Sequence, residues 1–140
     1  MKSAVVVTGV NRGVGLVLAE HYFDAGWRVF GACRQSSEEL DREADQVNEG
    51  IDDTRPGDVA RLVEALNGQE VDLLINNAGL LRDELLGGVD FDSIREQIEI
   101  TVYAPQRVVE ALLPNLKRGS KFANITSHMG SLADNDSGGC

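Results

Sequence analysis

The chain has 140 residues, a length typical of one domain that buries a single hydrophobic core. Its 13 basic and 23 acidic residues give a formal net charge of -10, so nucleic acids and anionic membranes are poor candidate partners. The apolar segment after Met1 is too short for a signal peptide or a membrane span, which predicts a cytoplasmic protein. The two cysteines fit no metal-ligand spacing, and Cys33 is expected to be a small buried apolar residue.

Short β-branched segments alternate along the chain with segments whose apolar residues recur every three or four positions. In chain order these patterns predict a strand over Ala4–Thr8, a helix from Val14 that is closed by Gly26, a strand over Arg28–Ala32, a short helix over Ser36–Ala44, a weak strand near Val47–Ile51, a helix over Pro56–Leu66, a strand over Val71–Ile75, a long helix over Asp90–Leu113 and a strand over Phe122–Ile125. Pro105 is expected to interrupt the long helix, because proline has no backbone N–H to donate, and Pro114 to end it.

The alternation of five strands with four helices predicts the fold of the whole chain, taken as one domain over residues 1–140. Right-handed crossovers between parallel strands give a doubly wound, Rossmann-type α/β fold with three α/β/α layers and strand order 3-2-1-4-5. Ligands of such sheets bind outside the carboxyl ends of the strands, at the switch point between the first and fourth strands. Binding residues are therefore expected where these strands end.

A glycine-rich loop, T-G-V-N-R-G-V-G over residues 8–15, joins the first strand to the first helix. Gly9 permits a tight turn, and Gly13 and Gly15 let backbone amides at the helix N-terminus approach a diphosphate. Glycine is common in any turn from strand to helix, so this loop alone is weak support for a nucleotide site. The sequence contains neither a P-loop motif nor the G-x-S-x-G motif of a hydrolase.

The end of the second strand carries the signal for the type of cofactor. A dinucleotide with a free 2′-hydroxyl would require an acidic residue there, whereas this chain has Arg34. A guanidinium at this place, reinforced by Arg12 in the glycine loop, suits a 2′-phosphate and favours NADP over NAD. The alternative reading is that Arg34 is a solvated charge after a strand.

Two motifs together carry a resemblance to a known family. T-G-x-x-x-G-x-G over residues 8–15 and N-N-A-G over residues 76–79, with I-T-S after the fifth strand, resemble the short-chain dehydrogenase/reductase family. The C-terminal residues are most similar to the branch of the C-factor signalling proteins and small carbonyl reductases. The resemblance covers all 140 residues and implies an NADP-dependent oxidoreductase that transfers a hydride between the nicotinamide and a carbonyl or alcohol substrate.

The resemblance implies a set of cofactor-binding residues, to which the end of the second strand adds Arg34. No metal-binding residue is predicted. The set consists of Gly9, Asn11, Arg12, Gly13, Val14, Gly15, Arg34, Asp52, Asp53, Asn77, Ala78 and Gly79. Asp52 is expected to accept from the adenine amino group, and Asp53 to contact the adenine through its backbone. Asn77 with the two residues after it is expected to hold the ribose beside the nicotinamide, although capping of the turn is the alternative role of this asparagine.

The catalytic residues that the resemblance implies are present only in part. Ser127 matches the serine that hydrogen-bonds the substrate carbonyl, and Thr101 stands where the family usually places an asparagine that holds a water. The family's proton donor is the tyrosine of a Y-x-x-x-K motif, expected at or just beyond Cys140, and neither tyrosine of this sequence has a lysine four residues later. The chain alone is therefore expected to be inactive, because an unpaired tyrosine keeps a pKa of about 10.

Two alternatives to a catalytic role stay open at this point. One is a sensor or interaction module that binds a dinucleotide without turnover, and the other is a truncated gene product without activity. The predicted sheet also stops after the fifth strand, short of the family's full extent, which leaves an unpaired edge and apolar surface. Such an edge favours self-association, so a homo-oligomer is a further expectation.

Overall fold

A computed structural model of the chain describes residues 1–127 and 131–133. The strands are β1 (Ala4–Thr8), β2 (Arg28–Ala32), β3 (Gln46–Asn48), β4 (Val71–Asn76) and β5 (Leu116–Asn124). The helices are α1 (Gly13–Asp24), α2 (Glu38–Arg42), α3 (Pro56–Ala65), α4 (Phe91–Ile98) and α5 (Ala104–Leu112), with a π-helical segment (Glu99–Tyr103) between α4 and α5 and a 3-10 turn (Leu113–Asn115) after α5. None of the helices in this described part combines the length and the hydropathy that a membrane span needs.

The five strands form one parallel sheet in the order β3-β2-β1-β4-β5, which confirms the predicted Rossmann-type topology. β1 lies between β2 and β4, so that Val5 has Val29 on one side and Leu73 on the other. All five residues of β1 are buried, as expected for a parallel strand that is covered on both faces. The strand order places the carboxyl end of β1, and the loop that follows it, at the middle of the sheet.

Helices cover both faces of the sheet, and side chains that alternate along each strand divide the core into two halves. One half packs strand residues against α3 and α5, and its members include Val6, Phe30, Leu62, Val108 and Leu112. The other half packs strand residues against α1 and α2, and its members include Val5, Val7, Ala19, Leu40 and Ile75. The three predicted layers are therefore present, and the loops between them meet at the carboxyl edge of the sheet.

The long helix predicted over Asp90–Leu113 is divided into α4, the π-helical segment and α5. Asp90 is the N-cap of α4, because its Oδ1 accepts from the backbone amides of Asp92 at 2.9 Å and Ser93 at 3.2 Å. The interruption comes before Pro105, which lies in the first turn of α5, where the missing N–H of proline is tolerated. The wider turn at residues 99–103 is thus the local form of the break that the sequence predicts.

The fifth strand begins six residues earlier than predicted, at Leu116 instead of Phe122. The added segment is mostly polar and contains a register shift opposite β4, where a glycine with positive φ, Gly119, accommodates the irregularity. Ser120 compensates for the lost regularity, since its hydroxyl donates to the Val71 carbonyl at 2.7 Å. An edge strand needs no continuous apolar pattern, which is why the sequence pattern missed this start.

An ionic contact at the amino end of the sheet gives a prediction on stability. Asp72 Oδ2 accepts from the Ala4 amide at 2.8 Å, and its Oδ1 lies 3.1 Å from Lys117 Nζ. The Ala4 N–H first, and the Lys117 ammonium second, hold the pKa of Asp72 below its ordinary value. A lowered pKa means that the ionised carboxylate stabilises the fold above the unfolded-state pKa, and that this stability is lost as the pH falls through the folded-state pKa.

We therefore expect Asp72→Asn to lower the free energy of unfolding by about 1 kcal/mol at pH 7, because the amide keeps an acceptor but loses the charge. The difference from the original protein should shrink towards zero as the pH is lowered to 3. Urea denaturation of both proteins at the two pH values measures it, with Asp83→Asn at an exposed position as the control. A loss of equal size at both pH values would contradict the ionic explanation.

Candidate functional site

An open cleft of about 1130 Å³ lies at the carboxyl edge of the sheet. Its volume exceeds the range of about 300–1,000 Å³ that is usual for drug-sized ligands, so it has room for a dinucleotide. The predicted cofactor residues that line it are Gly9, Asn11, Arg12, Gly13, Val14, Arg34, Asp52, Asp53, Asn77, Ala78 and Gly79. From the predicted set, only Gly15 lies outside the lining, where it packs beneath the cleft surface.

The glycine loop presents the start of α1 to this cleft. Gly9 and Gly13 have φ values of 61° and 57°, in the left-handed region that favours glycine. Arg12 is the N-cap of α1, its side chain makes no capping hydrogen bond, and the first turn contains no acidic residue. The first amides of a helix have no partner within the helix and carry its positive dipole end. This arrangement favours an anion, such as a diphosphate, at the mouth of the loop.

Close packing joins the glycine loop to the loop after β4. Asn77 Nδ2 donates to the Gly9 carbonyl at 3.0 Å, so this side chain braces the two loops. A Cβ atom added at Gly15 would collide with the Gly9 carbonyl oxygen and lie 2.5 Å from Asn77 Nδ2. A Cβ atom added at Gly9 would lie 2.9 Å from the backbone of Ala78. The close packing of these two loops therefore requires glycine at both positions.

Thr8 lines the cleft and was included in the sequence motif over residues 8–15 without being assigned a role. Its buried hydroxyl oxygen accepts from the backbone amides of Asn77 at 3.1 Å and Ala78 at 3.2 Å. Thr8 therefore fixes the direction in which the loop after β4 leaves the sheet. The available signal in the sequence was a polar residue at the end of an otherwise apolar strand, since such a residue needs a hydrogen-bond partner.

Arg12 and Arg34 place positive charge at the cleft. Neither guanidinium forms an ion pair with an acidic residue among residues 1–127 and 131–133. A third arginine of the lining, Arg82, is paired with Glu96 at 2.5 Å. Two guanidinium groups that have no ion-pair partner in the described part of so acidic a protein favour an anionic ligand in the cleft.

The loop after β3 carries the two adjacent aspartates of the predicted set. Asp52 Oδ1 accepts from the Thr54 amide at 3.0 Å and from the Thr54 hydroxyl at 2.6 Å, so its carboxylate shapes the loop. Burial first, and the charge of Asp52 second, raise the pKa of Asp53, while the positive charges of Arg107 and Arg34 oppose the increase. The raised pKa means that the Asp53 carboxyl group takes up a proton at a higher pH than an ordinary aspartate does.

Cys33 also lines the cleft, and the residue is only 3% exposed, which confirms the predicted burial. Burial first, and then the charges of Glu49 and Asp41, raise the pKa of Cys33 to about 11. The thiol therefore stays protonated at neutral pH, where only a thiolate would be nucleophilic.

No group of three His, Cys, Asp or Glu side chains in the described part of the chain is arranged to hold a metal ion.

The two predicted catalytic residues lie outside the cleft lining. Thr101 is exposed in the π-helical segment, and its hydroxyl donates to the Leu80 carbonyl at 3.3 Å. Ser127 is exposed and follows β5 by three residues, while Cys140, near the predicted position of the proton donor, lies outside the described residues. Leu80 lines the cleft, so this hydrogen bond connects Thr101 to the lining.

One wall of the cleft was missed by sequence reasoning. It is formed by Leu80, Arg82, Glu96, Glu99 and Ile100. These residues come from the loop after β4 and from the junction of α4 with the π-helical segment, where no motif marks them. The backbone amide of Arg82 donates to Gln97 Oε1 at 2.9 Å, which holds the loop against the helix.

The strand order, the glycine loop before α1 and the cleft at the switch point define a Rossmann-type protein of the nucleotide-binding class. A family model described as short chain dehydrogenase matches residues 3–136. The chain therefore belongs to the short-chain dehydrogenase family, as the two motifs in the sequence predicted.

Individual relatives agree with this assignment. The chain is 35% identical over 139 residues to 1-hydroxy-2-glutathionyl-2-methyl-3-butene dehydrogenase of Rhodococcus sp. (strain AD45), covering 98% of this chain and 62% of that protein. It is 44% identical over 72 residues to the C-signal protein of Myxococcus xanthus, covering 49% of this chain and 43% of that protein. A short-chain dehydrogenase/reductase from Burkholderia multivorans, crystallised with bound NADP, superposes with a TM-score of 0.89 at 27% identity, covering 99% of this chain and 64% of that one. The chain thus spans less than two thirds of the length of each of these relatives.

Proposed function

We propose that this chain binds NADP and forms the cofactor-binding part of an oxidoreductase that acts on a carbonyl or alcohol substrate. The observation that carries the proposal is that Arg12 and Arg34 line the cleft at the switch point of the sheet and form no ion pair within the described residues. The NADP bound to the Burkholderia multivorans relative, which has the same fold, supports the choice of cofactor.

The residues of the cleft fit a phosphorylated dinucleotide. The loop from Gly9 to Gly13 brings backbone amides and the positive end of α1 to the place where a diphosphate would lie. Arg34 follows β2 and lines the cleft, and we assign it to the 2′-phosphate, since a planar guanidinium can donate two parallel hydrogen bonds to phosphate oxygens. We assign Arg12 to the same anionic end of the ligand.

The remaining cofactor residues are assigned to the two ends of the dinucleotide. Asp52 and Asp53 form the wall of the loop after β3 and would contact the adenine. Ala78 and Gly79 would approach the ribose next to the nicotinamide, and Asn77 orients these two residues by its bond to the glycine loop. When bound, the cofactor would supply or accept the hydride, while these residues hold it and fix its direction.

Catalysis needs a proton donor in addition to a bound cofactor. We propose that Ser127 hydrogen-bonds the substrate oxygen and that Thr101 takes the place of a water-binding asparagine. Residues 1–140 contain no tyrosine with a lysine four positions later, and a tyrosine without a neighbouring cation is a poor acid at neutral pH. We therefore expect the 140-residue chain to bind cofactor without turning over carbonyl substrates at the rate of a complete enzyme.

Titration of the purified chain with NADPH and NADH, followed by cofactor fluorescence, tests the proposed function. We expect NADPH to bind about 10- to 100-fold more tightly, because hydrogen bonds to a charged group contribute about 1.5–3 kcal/mol each. Circular dichroism on the same sample establishes that the chain is folded. Equal or tighter binding of NADH would contradict the choice of cofactor, and a folded chain that binds neither dinucleotide would contradict the function.

A further inference from the structure

Arg107 on α5 connects two walls of the cleft although it does not line the cleft itself. Its Nη1 donates to the backbone carbonyl of Asp53 at 3.0 Å, and its Nη2 lies 2.8 Å from Glu99 Oε1. Asp53 belongs to the loop after β3, whereas Glu99 is the first residue of the π-helical segment, and both line the cleft. One planar group thus spans from the adenine wall to the wall that sequence reasoning missed.

The loop after β3 has few other connections to the rest of the molecule. The Asp52 amide donates to Asp58 Oδ2 of α3 at 3.1 Å, and the other bonds of residues 52–55 are local or with α3. Among the hydrogen bonds of the described residues, the one from Arg107 is the only bond from these four residues to an element beyond α3. The Arg107 side chain is 28% exposed, so water screens this contact less than it would on an open surface.

The charge of Arg107 adds to the effect of its hydrogen bonds. It is one of the groups that oppose the increase in the pKa of Asp53 caused by burial and by Asp52. Without Arg107, this carboxyl group would lose its charge at a higher pH, because fewer positive charges would favour the ionised form. The contact therefore affects both the position and the charge of the loop.

We propose that Arg107 is a positioning residue that holds the Asp52–Asp53 loop in the conformation that receives the adenine end of the cofactor. The inference rests on the proposed function, which supplies the dinucleotide ligand. The two contacts of the Arg107 guanidinium supply the geometry. The proposal predicts a selective effect. Loss of Arg107 should weaken binding of the half of the ligand that contacts this loop and leave binding of the other half nearly unchanged.

Two fragments of the cofactor test this selectivity. We expect Arg107→Gln to weaken binding of adenosine 2′,5′-bisphosphate about tenfold, which corresponds to the loss of one good hydrogen bond, and to change binding of reduced nicotinamide mononucleotide less than about twofold. Arg107→Lys keeps the charge and one donor, so it should restore most of the bisphosphate affinity. Arg95→Gln is the matched control. This substitution removes the same charge and an ion pair with Asp92 within α4, but the Arg95 side chain is 74% exposed.

Hydrogen exchange of the ligand-free proteins provides a second readout that does not depend on any ligand. Arg107→Gln should increase exchange of the amides in residues 52–55 and leave the strands unchanged, whereas Arg95→Gln should alter neither. Unchanged exchange in residues 52–55 together with unchanged bisphosphate affinity would overturn the inference, as would equal weakening of both fragments. If the original chain binds no dinucleotide, the proposed function fails, while a local increase in exchange would still show that Arg107 holds the loop.

Discussion

A Gly15→Ala variant is expected to lose about 3 kcal/mol of its free energy of unfolding, at the upper end of the usual cost of overpacking. Gly15 lies in α1, where alanine would normally be preferred over glycine by about 1 kcal/mol. The added methyl group would nevertheless collide with the Gly9 carbonyl and lie 2.5 Å from Asn77 Nδ2. Because the carbonyl belongs to the backbone, relief requires that the glycine loop move away from the loop after β4. Urea denaturation measures the loss.

Gly13→Ala is the matched control, because the same change is made two residues earlier in the same loop. A Cβ atom at Gly13 would meet no atom within 4 Å, so the cost is only that of a left-handed alanine, about 1–2 kcal/mol. Gly13 lines the cleft, and its methyl group should weaken NADPH binding in a protein that still folds. A Gly15→Ala variant as stable as the original chain would contradict the packing described here.

The double variant Gly15→Ala with Asn77→Ala separates the two contacts that oppose the methyl group. Removing the Asn77 side chain opens space on one side, but it leaves the Gly9 carbonyl in place and deletes a 3.0 Å hydrogen bond to it. We therefore expect the double variant to be no more stable than Gly15→Ala. Recovery of the lost stability would show that the Asn77 side chain alone limits the space at Gly15.

The parts of the fold that could be predicted from the sequence are those with local signals. The bounds of β1 and β2 were predicted correctly, because both strands contain valine and a glycine lies within two positions of one end of each strand. The glycine loop was found for the same reason, since its residue types and their spacing lie within residues 8–15. Strand order followed from the alternation of elements and the handedness of crossovers, which hold for most parallel sheets.

The parts that could not be predicted depend on contacts between distant positions. Thr8 is tied to Asn77 across 69 positions and Arg107 to Asp53 across 54, and no local pattern announces either pair. The polar start of β5 was missed because an edge strand with one register shift lacks the alternation that marks a half-buried strand. Residue types suggested which side chains could bind a ligand, whereas the tertiary structure decides which of them lie together.

Arg34→Asp should produce the largest change in ligand preference. We expect it to weaken NADPH binding about 100-fold, because it removes a charge-assisted contact to the 2′-phosphate and places a carboxylate beside it. NADH should bind as well as before or more tightly, since a carboxylate at the end of β2 can accept from a free 2′-hydroxyl. Fluorescence titrations with both dinucleotides measure the change as a ratio of dissociation constants.

Arg118→Asp is the control for the change in net charge. Arg118 is exposed near the start of β5, at the amino end of the sheet, whereas the cleft lies at the carboxyl end. The same two-unit change in charge at this distance should leave the ratio of the two dissociation constants within about twofold, because salt screens exposed charges beyond about 10 Å. A similar loss of NADPH binding in both variants would assign the effect to net charge and not to the site.

Arg34→Asp also affects Asp53, and this second effect cancels in the ratio of the two dissociation constants. Arg34 is one of the positive charges that lower the pKa of Asp53, so Arg34→Asp raises that pKa further and favours the uncharged carboxyl group. Any resulting change at the adenine is common to NADPH and NADH, because the two cofactors have the same base. Only the 2′-phosphate differs between them. The dissociation constant of NADH divided by that of NADPH should therefore fall from above ten in the original chain to below one in Arg34→Asp. The same fall at pH 6 and at pH 8 would assign the preference to Arg34.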